Sequence, residues 1–413
     1  MAAARSAVTL EEAFDPRSNS IGFLRWLMAF LVIFSHAGPL GGFYGGQDLG
    51  VQISTEQSLG GVAVAGFFFF SGFLITQSRM GRSSIFRYFW RRVLRIFPAF
   101  WLALLTTAFV LAPIAWWRET GSIDGFFTAS RESPWTYFLN NMWLELGQRN
   151  IAEMGSSLPF ASHGGYDWNG SAWTLLYEFR AYILVGFMGM LGLLAYRWMT
   201  TAVAAAILVL NALQWMGAGS VANVWRWFGD PYMLMFFAPF AFGMLFAVWK
   251  HRIPIDDRLA IAAALAAGAT YAFGGWNIWG TYAFAYLLMW FAVRATKVRG
   301  WEKPGDFSYG VYIFAWPLMQ FGAYFGLHQA GWLVYHLVIV LAVHIAAYIS
   351  WHLIEKPAMS FKNWTPGWLE RAYARVITPA WERLMGTVVD PRFSSTPRAE
   401  RMRARAVADG QAP

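Results

Sequence analysis

The sequence predicts an all-α, polytopic integral membrane protein with about ten transmembrane helices. Three observations carry that class. Of 413 residues, 57% are hydrophobic and 13% are charged, against about 25% charged in a soluble domain. Apolar segments of roughly 20 residues, the length that crosses a bilayer, recur along the chain. Lys and Arg collect in alternate connections between these segments, as the positive-inside bias requires. The 24 tryptophans suit the headgroup layer, where an amphipathic ring is favoured. The net charge of +9 reads as loop bias and not as nucleic-acid binding, because most basic residues lie between apolar segments or in the tail. With no cysteine in the chain, disulfides, thiolate metal sites and a Cys nucleophile are excluded.

Taken in order, residues 1–20 form a leader containing Glu11, Glu12 and Asp15. It lacks the charge pattern and cleavage site of a secretory signal. The expected spans are 21–39, 60–78, 97–116, 172–195, 199–216, 230–249, 258–274, 276–293, 306–326 and 332–353. With the N-terminus cytoplasmic, the segment after the second span faces inward and holds Arg79, Arg82, Arg87, Arg91, Arg92 and Arg95. Further inward connections hold Arg197, then Lys250, Arg252 and Arg258, then Arg294, Lys297, Arg299 and Lys303. The outward connections 40–59, 275 and 327–331 hold neither Lys nor Arg. Both termini are therefore expected on the cytoplasmic side. The long outward loop 117–171 contains an apolar stretch, Trp135 to Leu146, that is too short to span and is expected to lie in the interface or re-enter. The membrane domain runs 21–358, and 359–413 is an Arg-rich tail, solvated or on the membrane surface.

Ionisable groups inside a bilayer are costly and mark functional candidates. Arg25 and His36 in the first span are eleven residues apart, which returns nearly to one helix face at about 100° per residue and separates them by roughly 16 Å. Both are expected to face one cleft, Arg25 near the cytoplasmic end and His36 near the outer end. The competing reading of His36 is a buried, hydrogen-bonded structural group. In the run Gly60 to Phe73, glycines admit either close approach of a ligand to the backbone, at Ser71 and Gly72, or close packing of helices. Arg92 and Arg95, with Arg91 beside them, share a face if their segment is helical. Such a pair suits phosphate, although simple anchoring explains it as well. Glu178 is expected at the depth of His36, where a carboxylate orients an imidazole, unless it only pairs with Arg180 or another helix. A His so held takes a proton from an alcohol as that alcohol attacks a thioester. His163 and Asp167 form a second acid/base candidate in the outer loop. His336, His344 and His352 recur every eight residues, about 80° apart on a helix, and read as structural, so no metal site is expected.

Several segments together resemble the acyltransferase 3 family of membrane O-acyltransferases, including its polysaccharide- and exopolysaccharide-modifying members. They are Arg25 with His36 ten residues between, the Gly66-Phe67-Phe68-Phe69-Phe70-Ser71-Gly72-Phe73 stretch, and Arg92-x-x-Arg95. They continue with Trp173-Thr174-Leu175-Leu176-Tyr177-Glu178, Ser308-Tyr309-Gly310-Val311-Tyr312 and Glu355-Lys356-Pro357. Lys356 stands where the family has Arg, which keeps the charge and loses the planar fork.

The resemblance implies an O-acetyltransferase of the bacterial inner membrane. Its donor would be cytoplasmic acetyl-CoA, and its acceptor a carbohydrate hydroxyl of a lipid-linked or exported polysaccharide, with membrane lipid and polysaccharide-synthesis proteins as partners. Arg92, Arg95 and Arg91 would hold the CoA phosphates, and the pantetheine arm would pass Arg25, Ser71 and Gly72. His36 would act as general base with Glu178 orienting it. The aromatic residues Trp173, Tyr177, Tyr309 and Trp316, and Tyr166 in the loop, would stack on sugar rings or mark the interface. The alternative is a glycan or small-molecule transporter using the intramembrane Arg, His and Glu in a relay, which predicts helices broken at midplane in corresponding halves.

Overall fold

The computed structural model describes residues 8–80, 84–163, 166–217, 230–372 and Arg375. Arg82 and the tail beyond Arg375 lie outside the described residues, as does the side chain of His163. Among the described residues all regular structure is helical, with a single isolated bridge between Thr9 and Pro254. The principal helices are α1 (Ile21–Gly41), α2 (Leu59–Met80), α3 (Ile85–Thr106), α4 (Thr174–Met190) and α5 (Arg197–Trp215). They continue with α6 (Pro231–Trp249), α7 (Asp257–Phe273), α8 (Thr281–Arg294), α9 (Ser308–Tyr324) and α10 (Trp332–Ser350).

Six of the described helical segments are long and apolar enough to cross a membrane. They correspond to α1, α2, α3 with its extension, α5, α6 and α10 with its extension. The expected spans at 172–195, 258–274, 276–293 and 306–326 fall on α4, α7, α8 and α9, which have 17, 17, 14 and 17 residues. At about 1.5 Å per residue these reach about 25 Å or less. The shortening has local causes. Gly192, in the left-handed region at φ 71°, turns the chain just after α4, and Gly274 and Gly275 at φ 102° and 91° separate α7 from α8.

Two helices are extended at their C-terminal ends through π turns, and a third π turn, Trp276–Gly280, leads into α8. Thr107–Leu111 carries α3 into Ala112–Thr120, and Trp351–Glu355 carries α10 into Lys356–Ser360. In each case a proline follows two residues after the π turn, Pro113 and Pro357. A proline has no N–H for the carbonyl four residues back and its ring crowds that carbonyl, so the helix relaxes to the wider turn. The start of α3 also differs from expectation, at Ile85 instead of 97. Ser84 caps it by accepting from the Arg87 N–H at 3.2 Å. The arginines that depress the local hydropathy are thus on the helix itself and not in a loop before it.

The closest helix crossing is α2 on α6. A Cβ on Gly72 would collide with the Phe240 carbonyl, and one on Gly243 would collide with the Phe69 carbonyl. Small residues on both helices let the backbones meet, the usual device where lipid removes any hydrophobic drive between helices. Phe68, Phe69, Phe70 and Phe73 fill the rest of this interface and are at most 3% exposed. Leu333, Leu337, Leu341 and Ile345 instead form an exposed stripe at four-residue spacing on α10, the pattern of a lipid-facing surface.

In the outer loop, Pro134–Asn141 forms a short helix capped by Ser133. Trp135, Leu139 and Trp143 are exposed there, in keeping with a segment lying at an interface. The loop is tied down internally. Asn141 and Gln148 exchange two hydrogen bonds at 2.8 and 3.0 Å.

Candidate active site

A narrow cleft opens between α1, α2, α4 and α9. Arg25, Ser71, Glu178, Tyr309 and Tyr312 contribute to its wall, with Phe67, Phe68 and Thr174 between them. The sequence-predicted residues fall at three levels; Arg25, Ser71, Glu178 and Tyr309 line the cleft, whereas Arg92, Arg95, His36 and Trp316 lie outside its wall.

At the end nearest the basic part of α3, one carboxylate gathers two guanidinium groups. Asp306 Oδ2 accepts from Arg25 Nη1 at 2.9 Å and from Arg95 Nη2 at 2.6 Å, and Asp306 Oδ1 accepts from Ser308 Oγ at 2.6 Å. Arg95 also lies 3.8 Å from Glu355, which Ser350 holds at 3.0 Å. Charge-assisted contacts of this kind are the strong ones. They link α1, α3, the start of α9 and the π turn after α10 into one network. Sequence reasoning missed Asp306. The signal was a lone acid two residues before the Ser308-Tyr309-Gly310 motif, beside a strongly basic connection.

Arg92, expected to act with Arg95, is not in that network. Its guanidinium lies over the Tyr88 and Tyr182 rings at 5.8 and 5.6 Å, and its buried Nε has no hydrogen-bond partner. Arg91 points elsewhere, bonding the Lys362 carbonyl and the Asn363 side chain at 3.3 and 2.8 Å. Trp90 likewise bonds the Phe361 carbonyl at 2.9 Å. The first residues of the tail therefore pack back onto α3.

At the middle level, Glu178 Oε1 accepts from Ser71 Oγ at 2.9 Å and also from the Tyr182 hydroxyl. Tyr182 carries the ring beneath Arg92, so the carboxylate and the basic face of α3 are one side chain apart. Tyr309 lines the cleft and donates to the Ile96 carbonyl at 2.8 Å. Gly72 faces the Phe240 backbone on α6, so the packing reading holds for it and it does not line the cleft.

At the third level, towards the C-terminal end of α1, the His36 ring meets the Trp316 indole edge-on, with centroids 4.7 Å apart. His36 makes no hydrogen bond among the described residues, which sets aside the reading of a bonded structural imidazole. The expected pairing with Glu178 is not made. Gly60 abuts Ser35, the neighbour of His36. Ser71, the partner of Glu178, is eleven residues further along α2, roughly 16 Å down its axis. Residue counting along α4 from the outer loop could not reveal this offset, because α4 starts with a 3-10 turn, Gly170–Trp173, buried under α9. A different carboxylate, Asp48, binds Ser35, the neighbour of His36. Asp48 accepts from Ser35 Oγ, from the Gly50 N–H at 2.6 Å and from the Leu59 N–H at 2.9 Å. Its signal in the sequence was its capping of the 3-10 turn Leu49–Gln52.

The remaining aromatic candidates divide. Trp316 donates to the Asp167 carbonyl at 2.6 Å. Tyr177 is bonded to Asp230, and Trp173 packs on Tyr232 and Phe236 at 4.8 and 5.2 Å. Those two face α6 and are outside the cleft wall. Tyr166 packs against Trp168 and Tyr324 in the outer loop. Asp167 is 4% exposed and pairs with Arg149 at 3.3 Å. Burial pushes its carboxyl up to about 6, against the Asn169 N–H and Arg149, which favour the charged form. The three histidines of α10 are structural in their contacts. His336 and His344 bond the carbonyls of Trp332 and Val340, and His352 packs on Tyr348.

The comparisons with known proteins agree with this architecture. A family profile described as an acyltransferase domain, that of acyltransferase 3, matches residues 18–351. An O-acetyl transferase of Shigella phage Sf6 is 29% identical over 350 residues, covering 82% of this chain and 96% of that protein. Nodulation protein 10 of Rhizobium leguminosarum bv. viciae is 26% identical over 374 residues, covering 84% and 94%. A membrane-bound transacylase, BcsY, of Komagataeibacter xylinus is 25% identical over 395 residues, covering 86% and 87%. No solved structure matches. The match spans the cleft from Arg25 to Ser350 and every helix that builds it, and the chain belongs to the acyltransferase 3 family of membrane O-acyltransferases.

Proposed function

We propose that the protein carries an acetyl group from cytoplasmic acetyl-CoA through the membrane to a carbohydrate hydroxyl on the outer side. The observation that carries this reading is a cleft lined by Arg25, Ser71, Glu178 and Tyr309, with a basic cluster and a histidine towards opposite ends of α1. Arg25 and Arg95 meet on Asp306 at one end, and His36 meets Trp316 at the other. In this reading the chain crosses the inner membrane ten times with both termini cytoplasmic, which the distribution of Lys and Arg supports.

The donor enters beside the basic face of α3. Arg92 is the best placed phosphate ligand, because its buried Nε has no partner within the protein and guanidinium binds phosphate strongly. Arg25 and Arg95 are already engaged, sharing Asp306 with Glu355 3.8 Å from Arg95, and shape the entrance. Ser71, Glu178 and Tyr309 line the path of the pantetheine arm, whose amides suit a polar strip in an otherwise aromatic wall. At the outer end the acceptor oxygen attacks the thioester carbonyl carbon while its proton passes to His36. The C–S bond then breaks, and the CoA thiolate leaves and takes up the proton from His36. The bilayer and the outer loop keep bulk water from the thioester, which would otherwise be hydrolysed.

The test is transfer of labelled acetyl from acetyl-CoA to cell-surface glycan by membranes carrying wild type or His36→Ala. The variant should melt like wild type and transfer nothing above background. Normal O-acetylation by His36→Ala would overturn the assignment.

A further inference from the structure

The cleft wall changes character along its length. Near Arg25 it is polar, with Ser71, Glu178, Ser308 and Tyr309. Further along it is apolar, with Val64, Phe67, Phe68 and Leu175, and Tyr312 joins them from α9. The apolar end is the one that approaches His36. Val64 is one turn of α2 from Gly60, which abuts Ser35, the neighbour of His36. Tyr312 is one turn of α9 from Trp316, whose indole meets the His36 ring. On both helices the wall therefore stops one turn, roughly 6 Å, short of the level of the histidine.

At that end the Phe67 and Tyr312 rings meet edge-on, with centroids 5.8 Å apart, and join α2 to α9. Tyr312 is fixed in place: its hydroxyl lies 2.6 Å from Thr174 Oγ1 and 2.7 Å from the Ser171 carbonyl. Phe68 is fixed as well, stacked on Phe236 at 4.9 Å. In the run Phe67–Phe70, residues 68, 69 and 70 are at most 3% exposed, and only Phe67 is half-buried. The free surface of this run thus belongs to the one ring that both lines the cleft and meets Tyr312. The chemistry of the wall selects what lies against it. Hydroxyl-rich or charged groups would lose hydration there without return, whereas the acyl group is the apolar terminus of the donor and gains by burial. We infer that Phe67 sets the size of the acyl group that the protein transfers. Its ring, backed by the fixed Tyr312, fills the apolar end of the cleft so that acetyl is accommodated and longer chains are excluded. Phe67 is a specificity-determining residue in this account, and it takes no part in proton transfer.

The inference rests on the acetyltransferase reading above, and its test separates the two. Membranes carrying the full chain receive acetyl-CoA and butyryl-CoA in equal amounts, and the acyl groups released from cell-surface glycan are counted by mass spectrometry. Competition between the two donors reports the ratio of their kcat/KM values, which does not depend on how much of a variant is folded. Wild type should transfer acetyl almost exclusively. Phe67→Ala should raise the butyryl-to-acetyl ratio about tenfold or more, the discrimination that a methylene or two meets at a close-fitting wall. Phe67→Leu should raise it in the same direction by less, and it decides the matter if the alanine variant does not accumulate. Phe69→Leu trims a fully buried ring outside the cleft wall; it should lower the melting temperature and leave the ratio as in wild type, which separates size selection from a general loosening of α2. Ratios equal to wild type in the Phe67 variants, or the same shift in Phe69→Leu, would overturn the inference. So would a wild type that transfers butyryl as readily as acetyl. Wild-type membranes that acylate glycan from neither donor would overturn the acetyltransferase reading, and the size selection with it.

Discussion

Replacing Asp306 by Asn is the most informative single perturbation of the network at the cleft entrance. The side chain keeps its size and can still accept from Ser308, but it loses the charge that holds Arg25 at 2.9 Å and Arg95 at 2.6 Å. The side chains of Arg25, Arg95 and Asp306 are 25%, 18% and 21% exposed, so water compensates only in part. Among the described residues, Glu355 is then the one carboxylate within salt-bridge reach, 3.8 Å from Arg95 alone. Removing one partner of a buried ion pair costs about 3–5 kcal/mol, and partial exposure places this case near the lower end, about 3 kcal/mol. For a chain of this size that corresponds to a fall in melting temperature on the order of 5 °C. Intrinsic tryptophan fluorescence in detergent follows the unfolding. The Arg25→Gln/Asp306→Asn double variant should be destabilised by less than the sum of the single variants, because each single change leaves the other charge unpaired. The effect should persist at high salt, since partly buried pairs are poorly screened. An Asp306→Asn protein that melts with wild type, or strictly additive single and double variants, would refute the claim that this carboxylate organises the two arginines.

Two further predictions follow from packing and burial. Gly72→Leu should prevent stable assembly of α2 on α6, because the Phe240 backbone cannot move aside as a flexible side chain would; overpacking of this kind costs about 3 kcal/mol or more, and a variant that purifies and melts normally would contradict it. Asp167 should make stability fall as pH rises through its folded pKa of about 6. Its folded pKa is above the unfolded value, so between the two the native state binds more protons and loses stability with rising pH. Asp167→Asn should flatten that part of the melting-temperature profile between the unfolded pKa and about pH 6, and an identical slope in the variant would contradict the assignment.

Much of the architecture was legible because its signals are local. The apolar segments and Arg25 with His36 on one helix are properties of single stretches of chain. What could not be read is where one helix stands relative to another. Glu178 was expected at the level of His36, and it instead serves Ser71 and Tyr182 lower in the cleft. Asp48 was passed over because an acid in a connection is ordinarily solvated, and Asp306 because it stands at the very start of its expected span; only the fold places them against Ser35 and the two arginines. The start of α3 was hidden for a different reason. Its arginines lower the hydropathy of a helical turn whose backbone is indifferent to their charge. Gly72 lay open between two readings, and the Phe240 backbone decides for packing.

The central claim is that the basic face of α3 receives an acyl-CoA donor. Calorimetric titration of the purified full chain with acetyl-CoA, wild type against Arg92→Ala, tests it most directly. Arg92 is the better choice than Arg95, whose loss would also disturb Asp306 and Glu355. The account predicts saturable binding by wild type, weakened about tenfold or more in the variant by the loss of a charge-assisted contact to phosphate. Absence of saturable binding to wild type, or equal affinity in Arg92→Ala, would contradict it.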